Sequence, residues 1–124
     1  MISFTPAVPI LRSFDEAKAK EFYIDFLGFA VDFEHRFAPD LPLYMGISRG
    51  DTRLHISEHY GDAMPGGCVW IEMTGIRDFH AELIGKKYKF ARPGLGPGPV
   101  GGLCINVGDP FGNKLRFNER EPAA

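Results

Sequence analysis

Residues 13–29 read "SFDEAKAKEFYIDFLGF" and predict an amphipathic helix that ends at a glycine. Ser13 and Glu16 have the spacing of a capping box, and Asp15 is a second candidate for the N-cap. The apolar side chains recur at helical spacing and form one stripe, which comprises Ala19, Phe22, Tyr23, Phe26 and Leu27. Gly28 then stands where a residue in the left-handed conformation commonly ends a helix. Because residues 7–12 predict a short apolar strand, the chain is expected to open with a strand and a helix.

Three strands are predicted after this helix. In residues 30–37, charged side chains alternate with Val31, Phe33, His35 and Phe37. This alternation has the period of a half-exposed strand. Residues 43–48 and 52–59 are separated by a turn containing Gly50 and predict a hairpin. The first half of the chain is therefore predicted as a strand, a helix and three strands.

The second half repeats this plan in abbreviated form. Residues 68–73 predict a strand, and the helix predicted next stops at Gly85 and carries Ile76, Phe79 and Leu83 on one face. Three further strands are predicted, at residues 88–92, 103–107 and 114–117. Such helices cover one face of an antiparallel-rich sheet and leave the other face free to curl into a cup. The expected fold is α+β, one domain over residues 1–124 with modules at about residues 7–59 and 68–119.

Composition excludes several classes of protein. The formal net charge of -2 argues against a nucleic-acid-binding module, which normally carries a basic face. The two cysteines, Cys68 and Cys104, have neither the number nor the spacing of a disulfide framework or a zinc knuckle. No charged and apolar leader opens the sequence, and no apolar run approaches the roughly 18 residues that span a bilayer. We therefore expect a reduced, cytoplasmic environment, with neither nucleic acid nor membrane as a partner.

Two stretches carry a family resemblance: "AVPILRSFDEAKAKEFYIDFLGF" at residues 7–29 and "GDPFGNKLRF" at residues 108–117. On these motifs the chain resembles the glyoxalase, bleomycin-resistance and extradiol-dioxygenase superfamily, also called vicinal oxygen chelate proteins, and is most similar to the bleomycin-resistance branch. The likeness runs from about residue 7 to residue 119. It implies two βαβββ modules that form a curled mixed sheet with a crevice, completed in a homodimer.

Enzymes of this superfamily take metal ligands from four strands, and the resemblance places Val8, His55, Cys68 and Arg116 at those positions. Valine cannot ligate a metal, and a guanidinium has no lone pair to give and repels a dication. Two ligands at best remain, whereas catalytic zinc takes about three protein ligands and an open position. We expect no catalytic residues, no metal and no cofactor. The alternative to an absent metal is a soft metal ion held by His55 and Cys68.

The bleomycin-resistance branch binds its ligand between two subunits, among aromatic side chains of the strands after the first helix and of the fifth strand, and beside a loop before the seventh strand. The resemblance therefore implies a ligand-binding set of Asp32, Phe33, Phe37, Tyr44, His55, Trp70, Val100, Gly101 and Arg116. Val100 departs from the branch, which often has tryptophan there. Two alternatives stay open: Trp70 as a core side chain, and Arg116 paired with an acid such as Glu72.

The function expected from the resemblance is sequestration of a bulky cationic or aromatic small molecule without catalysis, as in antibiotic resistance, and a bleomycin-like drug is one candidate. Acids close to the aromatics in sequence would attract a cation: Asp32, Glu34, Asp40, Asp51 and Glu58. One alternative is a metal-dependent lyase, isomerase or dioxygenase with an atypical site that includes His55, and another is a sensor or partner-binding module. The N-terminal segment with Pro6 and Pro9 is a candidate for a strand exchanged between subunits.

Overall fold

The computed structural model describes residues 1–120, and it contains the predicted order of elements twice. The first module comprises β1 (Ile10–Arg12), α1 (Glu16–Lys20), which continues as a π-helical segment (Glu21–Phe26), β2 (Ala30–His35), β3 (Tyr44–Arg49) and β4 (Thr52–Ser57). The second module comprises β5 (Cys68–Glu72), α2 (Ile76–Gly85), β6 (Leu95–Pro97), β7 (Leu103–Gly108) and β8 (Lys114–Glu119). Within residues 1–120 no helix is both long enough and apolar enough to cross a membrane.

Each module builds its own four-stranded mixed sheet, and the two sheets have the same topology. Sheet A has the strand order β1-β4-β3-β2, and sheet B has the order β5-β8-β7-β6. In each sheet the first strand pairs in parallel with the last, and the other pairs are antiparallel. The predicted α+β fold with two βαβββ modules is confirmed.

The first helix begins at Asp15, whose side chain accepts a hydrogen bond of 2.9 Å from the Lys18 amide. Ser13, the other predicted cap, is buried instead, and its amide donates to the Ser57 carbonyl at 2.8 Å, which extends the β1–β4 pairing. Gly28 has φ of +78°, so the predicted glycine stop is confirmed. The predicted apolar stripe of this helix is buried along its whole length.

One hydrophobic cluster contains side chains from both modules. Phe22, Tyr23 and Phe26 of the first helix belong to it together with Leu83 of α2 and Leu115 of sheet B. The cluster lies between the helices and one face of each sheet, because alternate residues of the strands are buried. The opposite face of each sheet is left largely free of covering helices.

The turn between β7 and β8 fastens the second module to the first. Asp109 Oδ1 accepts hydrogen bonds of 2.8 Å from the amides of Phe111 and Asn113, which fold the turn. Its Oδ2 accepts from the Tyr23 hydroxyl at 2.6 Å and from Asn113 Nδ2 at 2.8 Å. Asn113 Nδ2 also donates to the carbonyl of Arg12 in β1. Burial, together with the Asp109 charge, raises the pKa of Tyr23, so its hydroxyl stays protonated and donates.

The predicted strand at residues 88–92 is wrong. The chain forms no strand there, and β6 lies further along, at Leu95–Pro97. The reason is packing: the Tyr88 ring stacks on Phe26 of the first helix with centroids 4.7 Å apart, so this segment is held against the helix and not at a sheet edge. Lys87 precedes it with φ of +52°, which turns the chain away from an extended path.

Candidate functional site

A β-bulge in β2 sets which side chains reach the open face of sheet A. Val31 pairs with Ile47 and Phe33 pairs with Gly46, so Asp32 is an extra residue between the two pairs. Asp32 nevertheless lies on the same open face as Phe33, because Asp32 Oδ1 accepts a 3.0 Å hydrogen bond from the Ser48 hydroxyl. The prediction that Val31 and Phe33 share one face is therefore wrong. The strand is also exposed along its whole length, not half-exposed, because it forms the sheet edge.

The Phe33 ring lies on the sheet because position 46 has no side chain. A Cβ atom built on Gly46 would fall 2.7 Å from Phe33 Cδ2 and 2.8 Å from Cζ, well inside van der Waals contact. Phe33 also stacks with Tyr44 at 6.2 Å and meets the edge of His55 at 5.3 Å between centroids. These three predicted ligand-binding residues therefore form one cluster on the open face of sheet A.

Tyr44 and His55 are joined by a hydrogen bond of 2.6 Å between the phenol oxygen and Nδ1. Burial raises the pKa of Tyr44, and the charge of Asp62 adds to this, so the phenol remains protonated. Donation from the phenol requires an unprotonated Nδ1, which leaves the proton of a neutral imidazole on Nε2. The bond fixes both rings beside Phe33 and leaves Nε2 as the ring nitrogen available to a ligand.

Two clefts open beside this cluster. The first, which we call the sheet-A cleft, has a volume of about 320 Å³, and its walls include Val8, Asp32, Phe33, Ser48, Arg53 and His55. The second, the junction cleft, has about 230 Å³ and lies where β4 approaches β5, with Pro9, Asp51, Arg53, Val69, Trp70 and Glu72 in its walls. Arg53 lines both clefts. Sequence reasoning missed it, although its position two residues before His55 in a strand puts it on the same face.

On sheet B, Trp70 and Arg116 are direct partners in the parallel pairing of β5 and β8. Trp70 is 40% exposed, whereas its neighbour Ile71 is buried, so Trp70 belongs to the open face of sheet B and is not a core side chain in this chain. The alternative of an Arg116–Glu72 pair is wrong, because Glu72 Oε1 lies 2.9 Å from Arg120 Nε instead.

The remaining predicted site residues lie apart from these clefts. Phe37 is largely exposed and packs edge-on against His35, with centroids 4.5 Å apart. Val100 is exposed in a tight turn, in which the Gly101 amide donates to the Gly98 carbonyl at 3.3 Å. Neither cleft includes Phe37, Val100 or Gly101 in its walls.

The four positions that correspond to the family's metal ligands do not fit a divalent ion. Val8 and His55 lie at the sheet-A cleft, while Cys68 and Arg116 stand on β5 and β8 of sheet B. Valine offers no donor atom, and the guanidinium is a cation. Within residues 1–120, no three histidine, cysteine, aspartate or glutamate side chains are close enough together to hold a metal.

Comparisons with known proteins agree with this architecture. The sequence model of a family described as glyoxalase superfamily protein matches residues 1–123. The bleomycin-binding protein from bleomycin-producing Streptomyces verticillus, solved with copper(II)-bleomycin, is 33% identical over 98% of this chain and 100% of its own, with a TM-score of 0.70. No curated protein matches the chain.

Two more distant structures share the fold. A bleomycin-binding protein complexed with bleomycin is 23% identical over 95% of this chain and 100% of its own, with a TM-score of 0.69. TnmS3, an antibiotic binding protein from Streptomyces sp. CB03234, is 18% identical over 98% of this chain and 100% of its own, with a TM-score of 0.74.

Proposed function

The chain belongs to the glyoxalase superfamily, and from this we propose that it binds and sequesters a bulky aromatic or cationic small molecule without catalysing a reaction. The observation that carries the proposal is the ring cluster on sheet A, where Phe33 lies over Gly46 and packs against Tyr44 and His55. Rings fixed in this way present a flat apolar surface next to a cleft, which suits a planar ligand. The 33% identical protein that was solved with copper(II)-bleomycin supports the same class of ligand.

A second copy of the chain is proposed to complete each site. Phe33 and Trp70 are 43% and 40% exposed, and they stand on different sheets. Large exposed apolar side chains that cluster on one face commonly mark an interaction surface. In a two-fold dimer, sheet A of one protomer facing sheet B of its partner would give two equivalent crevices. Sedimentation tests this: a monomer at micromolar concentration would remove the intersubunit crevice from the proposal.

The N-terminal segment is proposed to lie across the partner. Ile2 and Phe4 are 86% and 94% exposed, and β1 pairs with β4 of the same chain only from Ile10 onward. The Pro9 carbonyl still accepts from the His55 amide at 2.9 Å, so an exchanged segment would be confined to residues before it. Deleting residues 1–5 should weaken the dimer, and an unchanged dimer dissociation constant would contradict the exchange.

The proposal is tested by calorimetric titration of the purified protein with bleomycin, with and without copper on the drug. We expect one drug per subunit, because each crevice would be formed once per chain. The variant Phe33→Ala removes the ring over Gly46 and should weaken binding by at least about tenfold, in keeping with an aromatic anchor worth about 2 kcal/mol. Tyr60→Ala is the matched control, because Tyr60 is exposed and lies outside both clefts.

Two results would count against sequestration. Equal binding by Phe33→Ala and the unmodified protein would remove the ring cluster as the site. Absence of binding to bleomycin and to a panel of planar aromatic compounds would remove the function itself. Chemical conversion of a bound compound, with recovery of altered product, would favour the enzyme alternative.

A further inference from the structure

Arg53 is the charged side chain shared by the sheet-A cleft and the junction cleft. It stands two residues before His55 on β4, and its strand partner is Ser48, whose hydroxyl donates to Asp32. The open face therefore carries a polar row, with Arg53 at one end and Asp32 at the other, next to the row that holds Phe33 and His55. A ligand lying on the Phe33 ring comes within reach of this guanidinium.

No carboxylate engages the guanidinium of Arg53. Within residues 1–120, Arg53, Lys114 and Arg116 have no carboxylate oxygen within 4.0 Å. Three of the eight arginines are paired, Arg36 with Glu16, Arg49 with Glu82 and Arg120 with Glu72, so what distinguishes Arg53 is its place in the walls of both clefts. Arg53 on sheet A and the two sheet-B cations all project from the open faces. Those faces therefore carry positive charge that no side-chain acid cancels at contact distance.

Of the five acids that the sequence suggested as the rim of a cation-binding crevice, Asp32 and Asp51 line the clefts and the other three do not. Glu34 forms an ion pair of 2.5 Å with Lys20 of the helix, on the other side of the sheet. Burial, together with the charge of Glu16, raises the pKa of Glu58, and this residue lies outside the walls of both clefts. Of the acids in the cleft walls, Asp32 accepts a hydrogen bond from Ser48, and Glu72 is paired with Arg120.

Extending the proposed function, on which this inference rests, we infer that the ligand carries an anionic group that Arg53 binds while an aromatic ring packs on Phe33. A planar guanidinium offers two parallel N–H donors to the oxygens of a carboxylate, sulfonate or phosphate. Phe33 and Gly46 form an apolar part of the cleft wall, so the charged hydrogen bonds would form beside an apolar surface, where they are stronger than in water. The ligand class is therefore an aromatic compound that carries an anionic group, and of the two options in the proposed function the cationic one is disfavoured.

A matched pair of fluorescent compounds tests the inference. 8-Anilinonaphthalene-1-sulfonate and N-phenyl-1-naphthylamine have the same ring system and differ only in the sulfonate, and proflavine supplies an aromatic cation. The unmodified protein should bind the sulfonate at least about tenfold more tightly than the neutral amine, as expected for charge-assisted hydrogen bonds. Arg53→Gln should remove most of that preference and leave the affinity for the neutral amine unchanged. Arg77→Gln, which removes an exposed arginine on α2, should keep the preference.

Each result separates this inference from the proposed function. If the neutral amine binds as tightly as the sulfonate, or if Arg53→Gln retains the preference, the anionic ligand is refuted while aromatic sequestration stands. Tighter binding of proflavine than of the sulfonate refutes it in the same way. If none of the three compounds binds, both the inference and the proposed aromatic site fall. Because Arg53 is exposed, a thermal melt of Arg53→Gln matching that of the unmodified protein confirms that the fold is retained.

Discussion

Replacing Gly46 by alanine should abolish the flat ring surface while leaving the fold intact. The added Cβ would overlap Phe33 Cε2 and fall 2.7 Å from Cδ2, whereas carbon atoms in contact are about 3.5–4.0 Å apart, so one of the two must move by roughly 1–2 Å. The β3 backbone is paired on both sides, with β2 and with β4, and is held in place. The Phe33 ring stands at an exposed edge and can swing toward solvent, so the ring moves.

The stability change follows from two opposing effects. Alanine replaces a glycine in a strand interior, which stabilises the folded state by about 0.5–1 kcal/mol. The displaced ring loses its contacts with Tyr44 and His55, at about 0.5–1.5 kcal/mol for an aromatic pair. Because two such pairs are lost, the free energy of unfolding should fall by about 0–2.5 kcal/mol, whereas affinity for a planar ligand should fall at least about tenfold.

Urea denaturation and titration with N-phenyl-1-naphthylamine measure the two quantities separately. Gly96→Ala is the matched control, because Gly96 also lies in a strand and a Cβ there would meet nothing within 4 Å. Unchanged ligand affinity in Gly46→Ala would refute the role of the Phe33 ring. A loss of more than about 3 kcal/mol in the free energy of unfolding would show that the β3 backbone moves and the Phe33 ring stays in place, which would contradict the expected displacement of the ring.

Three further outcomes are expected. Tyr23→Phe removes the hydroxyl that donates to Asp109 at 2.6 Å, and urea denaturation should show a loss of about 1–2 kcal/mol in the free energy of unfolding. The control Tyr60→Phe, at an exposed tyrosine, should show no loss. Equal stability of the two variants would contradict the role given to this bond. The Arg49 guanidinium lowers the pKa of Glu82 below its ordinary value of 4.5, so the pair stabilises the fold at pH 7 and this contribution is lost as pH falls through the folded-state pKa. Urea midpoints between about pH 7 and pH 3 should therefore fall less steeply for Glu82→Gln than for the unmodified protein, and parallel curves would show that the pair contributes nothing. Dialysis against a chelator should leave ligand affinity unchanged, since the family's metal positions do not fit an ion; affinity that is lost and then restored by zinc would favour the enzyme alternative.

The first helix could be predicted closely from sequence because its determinants are local. The apolar stripe repeats at helical spacing, and Gly28 supplies the left-handed residue that ends it. The choice between Ser13 and Asp15 as cap could not be made from sequence, since it depends on whether Ser13 continues the pairing of β1 with β4, a contact between residues far apart in the chain.

Two errors have the same origin in long-range contacts. The bulge at Asp32 depends on how β2 pairs with β3, and a strictly alternating sequence gives no sign of it. Tyr88 and Phe90 are two positions apart, as side chains on one face of a strand are, but Tyr88 packs on Phe26, which is 62 positions earlier in the chain. Local pattern reports which side chains are apolar, and it does not report which distant surface they will meet.

The candidate site was harder to predict than the fold, because a residue belongs to it only if the folded chain leaves its side chain exposed beside a cleft. Phe33, Tyr44 and His55 could be identified through the family resemblance, and they do form one cluster. Arg53 carried no such signal, since a charged residue in an alternating strand is most often a solvated side chain. Its importance follows only from the two clefts that it lines.

The motif that joins β7 to β8 shows how fold and function divide between neighbouring residues. Asp109 and Asn113 are buried and hold the turn, the first helix and β1 together, so a change at either would disturb the fold. Arg116, three positions later, stands on the open face beside Trp70, where a substitution costs the fold little. A guanidinium at the position to which the resemblance assigns a metal ligand adds positive charge to the open face without disturbing the scaffold. If the ligand proves to be an anion, the charge of the open faces, more than their shape, would distinguish it from the ligands of a metal-binding relative.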